Sequence, residues 1–225
     1  MADNNVITRI YKADDPRIID INRKEILRYS GYMGIDMVDE ALDELLDQVI
    51  SEGRNAFSYK VCYLKSQKLP FRHNSKALAK CLNGSEETVM FAATVGLDVD
   101  RLIARYQKLS EVKALLLQAF GTERVEALCD AFCIEFSEVC KEAGRSCTPR
   151  FSPGYGDLPL DIQKDFFEIL NPGKHIGVSL SDSLLMSPSK SVTAVFGIKK
   201  DADQPALSTT DKCISCNNTE CEIRL

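Results

Sequence analysis

The strongest constraint on the fold is an apolar stretch of strand length, TVMFAATV at residues 88–95. A run of this length that ends at a glycine, here Gly96, is typical of a strand buried on both faces. Such a strand needs a neighbour on each edge and helices over each side. The chain therefore has to form a sheet with a covered centre, and 225 residues are enough to bury one such core.

Two further strands and three helices follow from hydrophobic periodicity. Aromatic and β-branched residues alternate with polar ones over residues 57–64, and SVTAVFGI at residues 191–198 predicts another strand. Apolar residues at helical spacing predict helices over residues 38–50, 98–109 and 110–144, the last with Gly121 as the point where a break would fall.

Local signals add shorter elements. Asp15-Pro16 resembles a helix start, and Ser75 can cap a short helix that ends near Leu82. A helix is predicted over residues 160–170 and a strand over residues 175–180. Because helices and strands alternate early and mix later, the predicted class is α+β, with a mixed or largely antiparallel sheet flanked by helices in a single domain.

The charge balance excludes several classes of partner. The chain carries 28 Lys and Arg against 33 Asp and Glu, a formal charge of −5. This balance does not favour nucleic acid or an acidic membrane surface. No apolar run approaches the roughly 20 residues that a membrane span needs, and the polar start is unlike a secretion signal. We therefore expect a soluble, cytoplasmic protein.

The nine cysteines fall into two groups. Six read as core or isolated thiols without assigned chemistry, since three follow the apolar face of a predicted helix and three stand alone. These six are Cys62, Cys81, Cys129, Cys133, Cys140 and Cys147.

The other three, Cys213, Cys216 and Cys221, form a C-terminal cluster after a polar segment. A two-residue gap lets two thiolates bind one ion, so the cluster is a candidate site for zinc or an iron–sulfur cluster that lacks a fourth ligand. Thiol redox chemistry and a tail with incidental cysteines are the alternatives.

A turn-rich loop, RFSPGYGD, begins at Arg150. A guanidinium on a Pro-bounded loop can bind a carboxylate through two hydrogen bonds, and glycines let the backbone approach a flat ligand. Tyr155 adds an aromatic face. Taken alone, a Pro/Gly loop with one Arg is more often a plain turn with one surface charge.

This loop and the segment after it resemble the C-terminal activation (reactivation) domain of cobalamin-dependent methionine synthase. That family has an Arg-x-x-x-Gly-Tyr loop, a Lys-His-x-Gly strand, and a Met-x-Pro turn before a Ser-Val strand. The matching residues are Arg150, Gly154, Tyr155, Lys174, His175, Gly177, Met186, Pro188, Ser191 and Val192. The family's Tyr-Tyr pair has no counterpart, because the same offset reaches Gln204-Pro205.

The resemblance implies an activation subunit that binds S-adenosylmethionine and supports reductive remethylation of cob(II)alamin on a partner protein. It implies that Arg150 binds the methionyl carboxylate, while Ser152, Gly154 and Tyr155 line the adenosine side. The implied partners are a cobalamin-binding methionine synthase or related corrinoid protein and an electron donor such as a flavoprotein. The chain would then be one subunit of a cobalamin-dependent methyltransferase.

The expected organisation has four parts: an N-terminal extension (1–19), the activation-like domain (20–198), a polar linker (199–211) and the cysteine tail (212–225). The alternative function is a metal- or cluster-binding interaction module on the same fold that does not bind S-adenosylmethionine.

Overall fold

A computed structural model describes residues 5–32 and 40–200. Its main sheet consists of the strands β1 (Ile7–Tyr11), β2 (Tyr59–Ser66), β3 (Glu87–Thr94), β4 (Ser146–Cys147) and β7 (Ser191–Lys199). These five strands are antiparallel and lie in the order β1-β2-β3-β7-β4. A separate two-stranded sheet pairs β5 (Ser179–Leu180) with β6 (Met186–Ser187). The apolar run predicted as a central strand is β3, whose residues are buried from Thr88 onward.

Helices cover both faces of the main sheet, as the α+β prediction requires. The helices are α1 (Arg23–Tyr29), α2 (Glu40–Gly53), α3 (Lys76–Cys81), α4 (Asp98–Tyr106), α5 (Glu111–Glu142), α6 (Gln163–Leu170) and α7 (Pro172–Ile176). Consecutive residues of β3 face the two helical layers in turn. Phe91 packs under α5, whereas Met90 packs in the core that contains α3, α6 and α7. The predicted fold class is therefore confirmed.

Helix α5 is the longest element, with 32 residues. The Ser110 side chain caps its start by accepting a hydrogen bond from the backbone N–H of Lys113 at 3.4 Å. The helix continues through Gly121 without a break. Phe132 anchors it to the sheet, with ring centroids 5.0 Å from Phe91 and 6.2 Å from Phe196. These aromatic contacts fix the helix across the middle of the sheet.

The helix start expected at Asp15-Pro16 is a turn instead. The Asp15 side chain accepts hydrogen bonds from the backbone N–H and the guanidinium of Arg17, so it closes a local loop. Helix α1 begins later, where the Asn22 side chain accepts a hydrogen bond from the N–H of Glu25 at 3.2 Å. An Asn at this position is a strong helix cap, which explains the later start.

The strand expected over residues 175–180 is also wrong in its first half. Asn171 caps helix α7, Pro172 occupies its first turn, and Gly177 ends it with a φ of +74°. His175 consequently lies in a helix, and only Ser179 and Leu180 form a strand. The helix predicted from residue 160 starts as a 3₁₀ turn at Leu160–Ile162 and becomes α-helical at Gln163.

The remaining predictions concern the C-terminus and membranes. Cys213, Cys216 and Cys221 lie outside the described residues. Within residues 5–32 and 40–200, no helix is long and apolar enough to cross a membrane.

Candidate functional site

The loop that begins at Arg150 continues the edge of the main sheet beyond β4. Thr148 donates its N–H to the carbonyl of Gly197 at 2.8 Å, and Phe151 and Val195 exchange backbone hydrogen bonds of 2.8 and 2.9 Å. Because side chains alternate along an extended chain, Phe151 packs in the core beneath α6. Arg150 points to the opposite face and meets helix α5.

The Arg150 side chain is held by two carboxylates of α5 and is only 7% exposed. Its Nη2 lies 2.6 Å from Oε2 of Glu126 and 3.1 Å from Oδ1 of Asp130. These acids stand four residues apart, so they share one face of the helix. A guanidinium stays charged in proteins, and the pair of carboxylates compensates it at this buried position.

The second terminal nitrogen of the same guanidinium has a different environment. Nη1 of Arg150 is buried and has no hydrogen-bond partner among the residues that the structure describes. An unpaired buried donor costs about 1–3 kcal/mol. A side chain that keeps one nitrogen anchored and the other unpaired is suited to receive an acceptor from a ligand.

The tip of the loop is a tight turn around Gly154. The N–H of Gly154 donates to the carbonyl of Leu158 at 2.9 Å, and the N–H of Tyr155 donates to the carbonyl of Ser152 at 3.1 Å. Gly154 has a φ of +84°, which a glycine adopts without strain. Tyr155 is 56% exposed and contacts the ring of Phe151 edge-to-face at 6.2 Å. The turn thus presents backbone and one aromatic ring at the surface.

Asp157 attaches this loop to the start of helix α3. Its carboxylate accepts hydrogen bonds from the hydroxyl of Ser75 and from the N–H groups of Lys76 at 2.7 Å and Ala77 at 3.2 Å. The hydroxyl of Ser75 and then the helix N–H groups lower the pKa of the Asp157 carboxyl. The loop is therefore fixed at both ends, by β7 on one side and by α3 on the other.

The four ligand residues predicted from the sequence lie on this one loop, but their surroundings differ. Arg150 is buried against α5, whereas Gly154 and Tyr155 are exposed at the tip and Ser152 is half-buried. Sequence reasoning missed Glu126 and Asp130, although their four-residue spacing within the predicted helix was a visible signal.

Helix α1 also approaches this site. Tyr29 is half-buried, and burial raises the pKa of its hydroxyl, with the nearby Glu126 carboxylate adding to the effect. The guanidinium of Arg28 covers the Tyr29 ring at 4.2 Å from its centroid. An aromatic side chain therefore lies close to Glu126, one of the two acids that hold Arg150.

Two thiols of α5, Cys129 and Cys133, lie beside Arg150. Burial raises the pKa of Cys129, and it does the same for Cys147. Cys129 is fully buried, in agreement with its prediction as a core residue, and Cys147, predicted as an isolated thiol, is buried as well. Within the described part of the chain, no three His, Cys, Asp or Glu side chains are placed to hold a metal ion.

The geometry defines an α+β domain with a turn-rich loop fixed at the edge of its sheet. The sequence model of the family described as vitamin B12 dependent methionine synthase, activation domain, matches residues 5–212, and the chain belongs to this family. The resemblance predicted from the sequence is confirmed. The activation domain of methionine synthase works with the cobalamin-binding part of that enzyme.

The architecture agrees with a solved structure of such a domain. The chain is similar to the crystal structure of the MetH reactivation domain bound to AdoHcy, with a TM-score of 0.62. The two share 14% identity, and the likeness covers 92% of this chain and 83% of that one. At this identity the likeness concerns the fold. A search of curated proteins gave no match.

Proposed function

We propose that this chain is a cytoplasmic activation protein that binds S-adenosylmethionine at the Arg150 loop and supports reductive remethylation of cob(II)alamin on a cobalamin-binding methionine synthase. Membership of the activation-domain family supports the partner and the reaction. The observation that carries the ligand assignment is the buried Nη1 of Arg150 without a hydrogen-bond partner among the described residues.

The residues around Arg150 fit the head group of an amino acid. Its carboxylate would accept a charge-assisted hydrogen bond from Nη1 of Arg150. Its ammonium group would lie against the carboxylates of Glu126 and Asp130, which already face this guanidinium. A simple carboxylic acid would not use these two acids. The combination of one cation and two anions therefore favours an α-amino acid.

The loop tip would receive the adenosine side of the ligand. Ser152, Gly154 and Tyr155 offer backbone groups and an exposed ring there. The chemistry that the bound ligand supplies is a methyl group; with one electron from a donor such as a flavoprotein, it converts cob(II)alamin into methylcobalamin and leaves S-adenosylhomocysteine. The residues of this chain bind and orient the methyl donor and take no part in bond making.

Calorimetric titration with S-adenosylmethionine tests the assignment. Arg150→Met should weaken binding by about tenfold or more, because a hydrogen bond to a charged group is worth about 1.5–3 kcal/mol. Arg101→Ala is a matched control, since Arg101 is 71% exposed and pairs with Asp98 on α4. Thermal unfolding would verify that both variants fold. Equal affinity in wild type and Arg150→Met would refute the site, and no binding to wild type would refute the function.

The C-terminal cysteines remain a sequence prediction. We expect Cys213, Cys216 and Cys221 to bind zinc or an iron–sulfur cluster, with thiol redox chemistry as the alternative. Elemental analysis of the wild type and of a version truncated after Lys212 would decide between them. Equal metal content in the two proteins would remove the metal-binding prediction.

A further inference from the structure

Lys190 lies across helix α5. The residue directly precedes β7, and its Nζ donates a hydrogen bond to Oγ1 of Thr122 at 3.0 Å. Its methylene groups pass over Gly121, where a Cβ would lie 3.0 Å from Cγ and 3.2 Å from Cε of the lysine. The lysine is therefore seated on the helix along its whole length.

Gly121 shows that this crossing is built into the fold. Glycine is the least favourable helix residue apart from proline, yet Gly121 stands, itself buried, in the interior of a helix of 32 residues. A Cβ at this position would press on the stem of Lys190, which would have to move by a few tenths of an ångström. A residue that disfavours helix, Gly121, thus occupies the turn of α5 that Lys190 crosses.

The ammonium group of Lys190 retains capacity for another acceptor. An ammonium has three N–H donors, and Thr122 takes one of them. Burial lowers the pKa of Lys190, and the charge of Asp100 opposes this effect. The Asp100 carboxylate is itself bound to Ser189, by its N–H at 2.7 Å and its hydroxyl at 2.5 Å.

The position of Thr122 relates Lys190 to the Arg150 site. Thr122, Glu126 and Asp130 follow one another at four-residue intervals, so they line one face of α5. At 1.5 Å of rise per residue, Thr122 lies about 6 Å from Glu126 and about 12 Å from Asp130 along the helix axis. Lys190 is therefore bound at one end of this strip and Arg150 at the other.

We infer that Lys190 is a specificity-determining binding residue, which donates a hydrogen bond to a ribose hydroxyl of S-adenosylmethionine while Arg150 holds the carboxylate. The inference rests on the proposed function. An extended methionyl chain separates its carboxylate from the ribose by roughly 8 Å, counting single bonds of about 1.5 Å. This length lies between the axial offsets of about 6 and 12 Å that separate Thr122, the partner of Lys190, from Glu126 and Asp130, the partners of Arg150. The ammonium thereby selects a nucleoside-bearing amino acid over methionine itself.

The test combines a variant with altered ligands. Wild type and Lys190→Met are titrated by calorimetry with S-adenosylmethionine and with its 2′-deoxy and 3′-deoxy analogues. Met keeps the unbranched stem over Gly121 and removes only the ammonium. Lys164→Met, on the exposed face of α6, is the control for loss of a lysine.

We expect wild type to bind one deoxy analogue about tenfold more weakly than S-adenosylmethionine. Lys190→Met should bind S-adenosylmethionine about tenfold more weakly than wild type and show no further loss with that analogue, because the two changes remove the same hydrogen bond. Lys190→Gln serves as a second variant if the first does not fold.

Three outcomes would overturn the inference. The first is equal binding of S-adenosylmethionine and both deoxy analogues by wild type, a result that needs no variant. The second is unchanged affinity of Lys190→Met for S-adenosylmethionine. The third is weak binding by Lys190→Met with the same further loss for the analogue as in wild type, which would mean a purely structural role. In each case binding to wild type that depends on Arg150 would leave the proposed function standing, whereas absence of any binding would overturn both.

Discussion

Replacing Arg124 by Met should release the segment before α1 from helix α5. The Arg124 guanidinium is 2% exposed and donates to the carbonyls of Ile18 at 2.5 Å and Asp20 at 2.6 Å. It also pairs with the neighbouring Glu123, whose carboxylate accepts a hydrogen bond from the N–H of Asn22 at 3.1 Å. The pair therefore holds the residues that lead into α1.

The expected loss in the free energy of unfolding follows from the groups that Arg124→Met leaves without a partner. Methionine fills much of the volume of arginine, so the cavity contribution is small. The Glu123 carboxylate remains, 6% exposed and without its cation, and two carbonyls lose a charged donor. Breaking a buried ion pair on one side costs about 3–5 kcal/mol. That is a large part of a typical unfolding free energy of about 5–15 kcal/mol.

Urea unfolding followed by far-ultraviolet circular dichroism measures this loss, with the double variant Glu123→Gln, Arg124→Met as the matched control. The double variant removes the uncompensated charge, so it should recover part of the loss, about 1–3 kcal/mol. The reasoning fails if Arg124→Met stays within about 1 kcal/mol of wild type, or if the double variant is less stable than the single one.

Three further predictions concern the loop, the thiols and the core. Asp157→Ala should weaken S-adenosylmethionine binding several-fold in calorimetry, because the loop loses its attachment to α3; unchanged affinity would contradict this role. Burial raises the pKa of Cys62 to about 12 and also raises that of Cys129, so iodoacetamide at pH 8 should label both only in urea, and labelling of the native protein would contradict their burial. Phe132→Ala should cost about 3–5 kcal/mol in urea unfolding, and a loss under 1 kcal/mol would contradict its central packing.

The interior strands were predictable from the sequence and the edge strands were not. Residues 88–95 and 191–198 carry apolar patterns because β3 and β7 are covered by helices on both sides. The edge strand at residues 7–11 has four exposed residues out of five, so no buried face marks it. The strand at residues 146–147 exists only through its pairing with β7, which a local pattern cannot reveal.

Part of the candidate site was likewise predictable from the sequence, and part was not. The Arg150 loop was predictable because proline and glycine mark a turn and a family motif covers it. Glu126, Asp130 and Lys190 belong to a helix and to a turn that are distant from the loop in sequence, and only the packing of α5 on the sheet brings them together. Periodicity places a residue on a face of its element, but it does not say which loop that face will meet.

The spacing between the two cations proposed to hold the ligand depends on strand β7. Lys190 directly precedes this strand, and Phe151, next to Arg150, is paired with Val195 through two backbone hydrogen bonds. Five residues at about 3.3 Å each separate these points by roughly 16 Å, and both long side chains reach inward to α5. A buried strand cannot slip by one residue without turning its apolar side chains to the wrong face. Because strand β7 positions both Lys190 and Arg150, the core of the protein fixes the spacing of these two cations. The exposed loop tip can therefore change without altering that spacing.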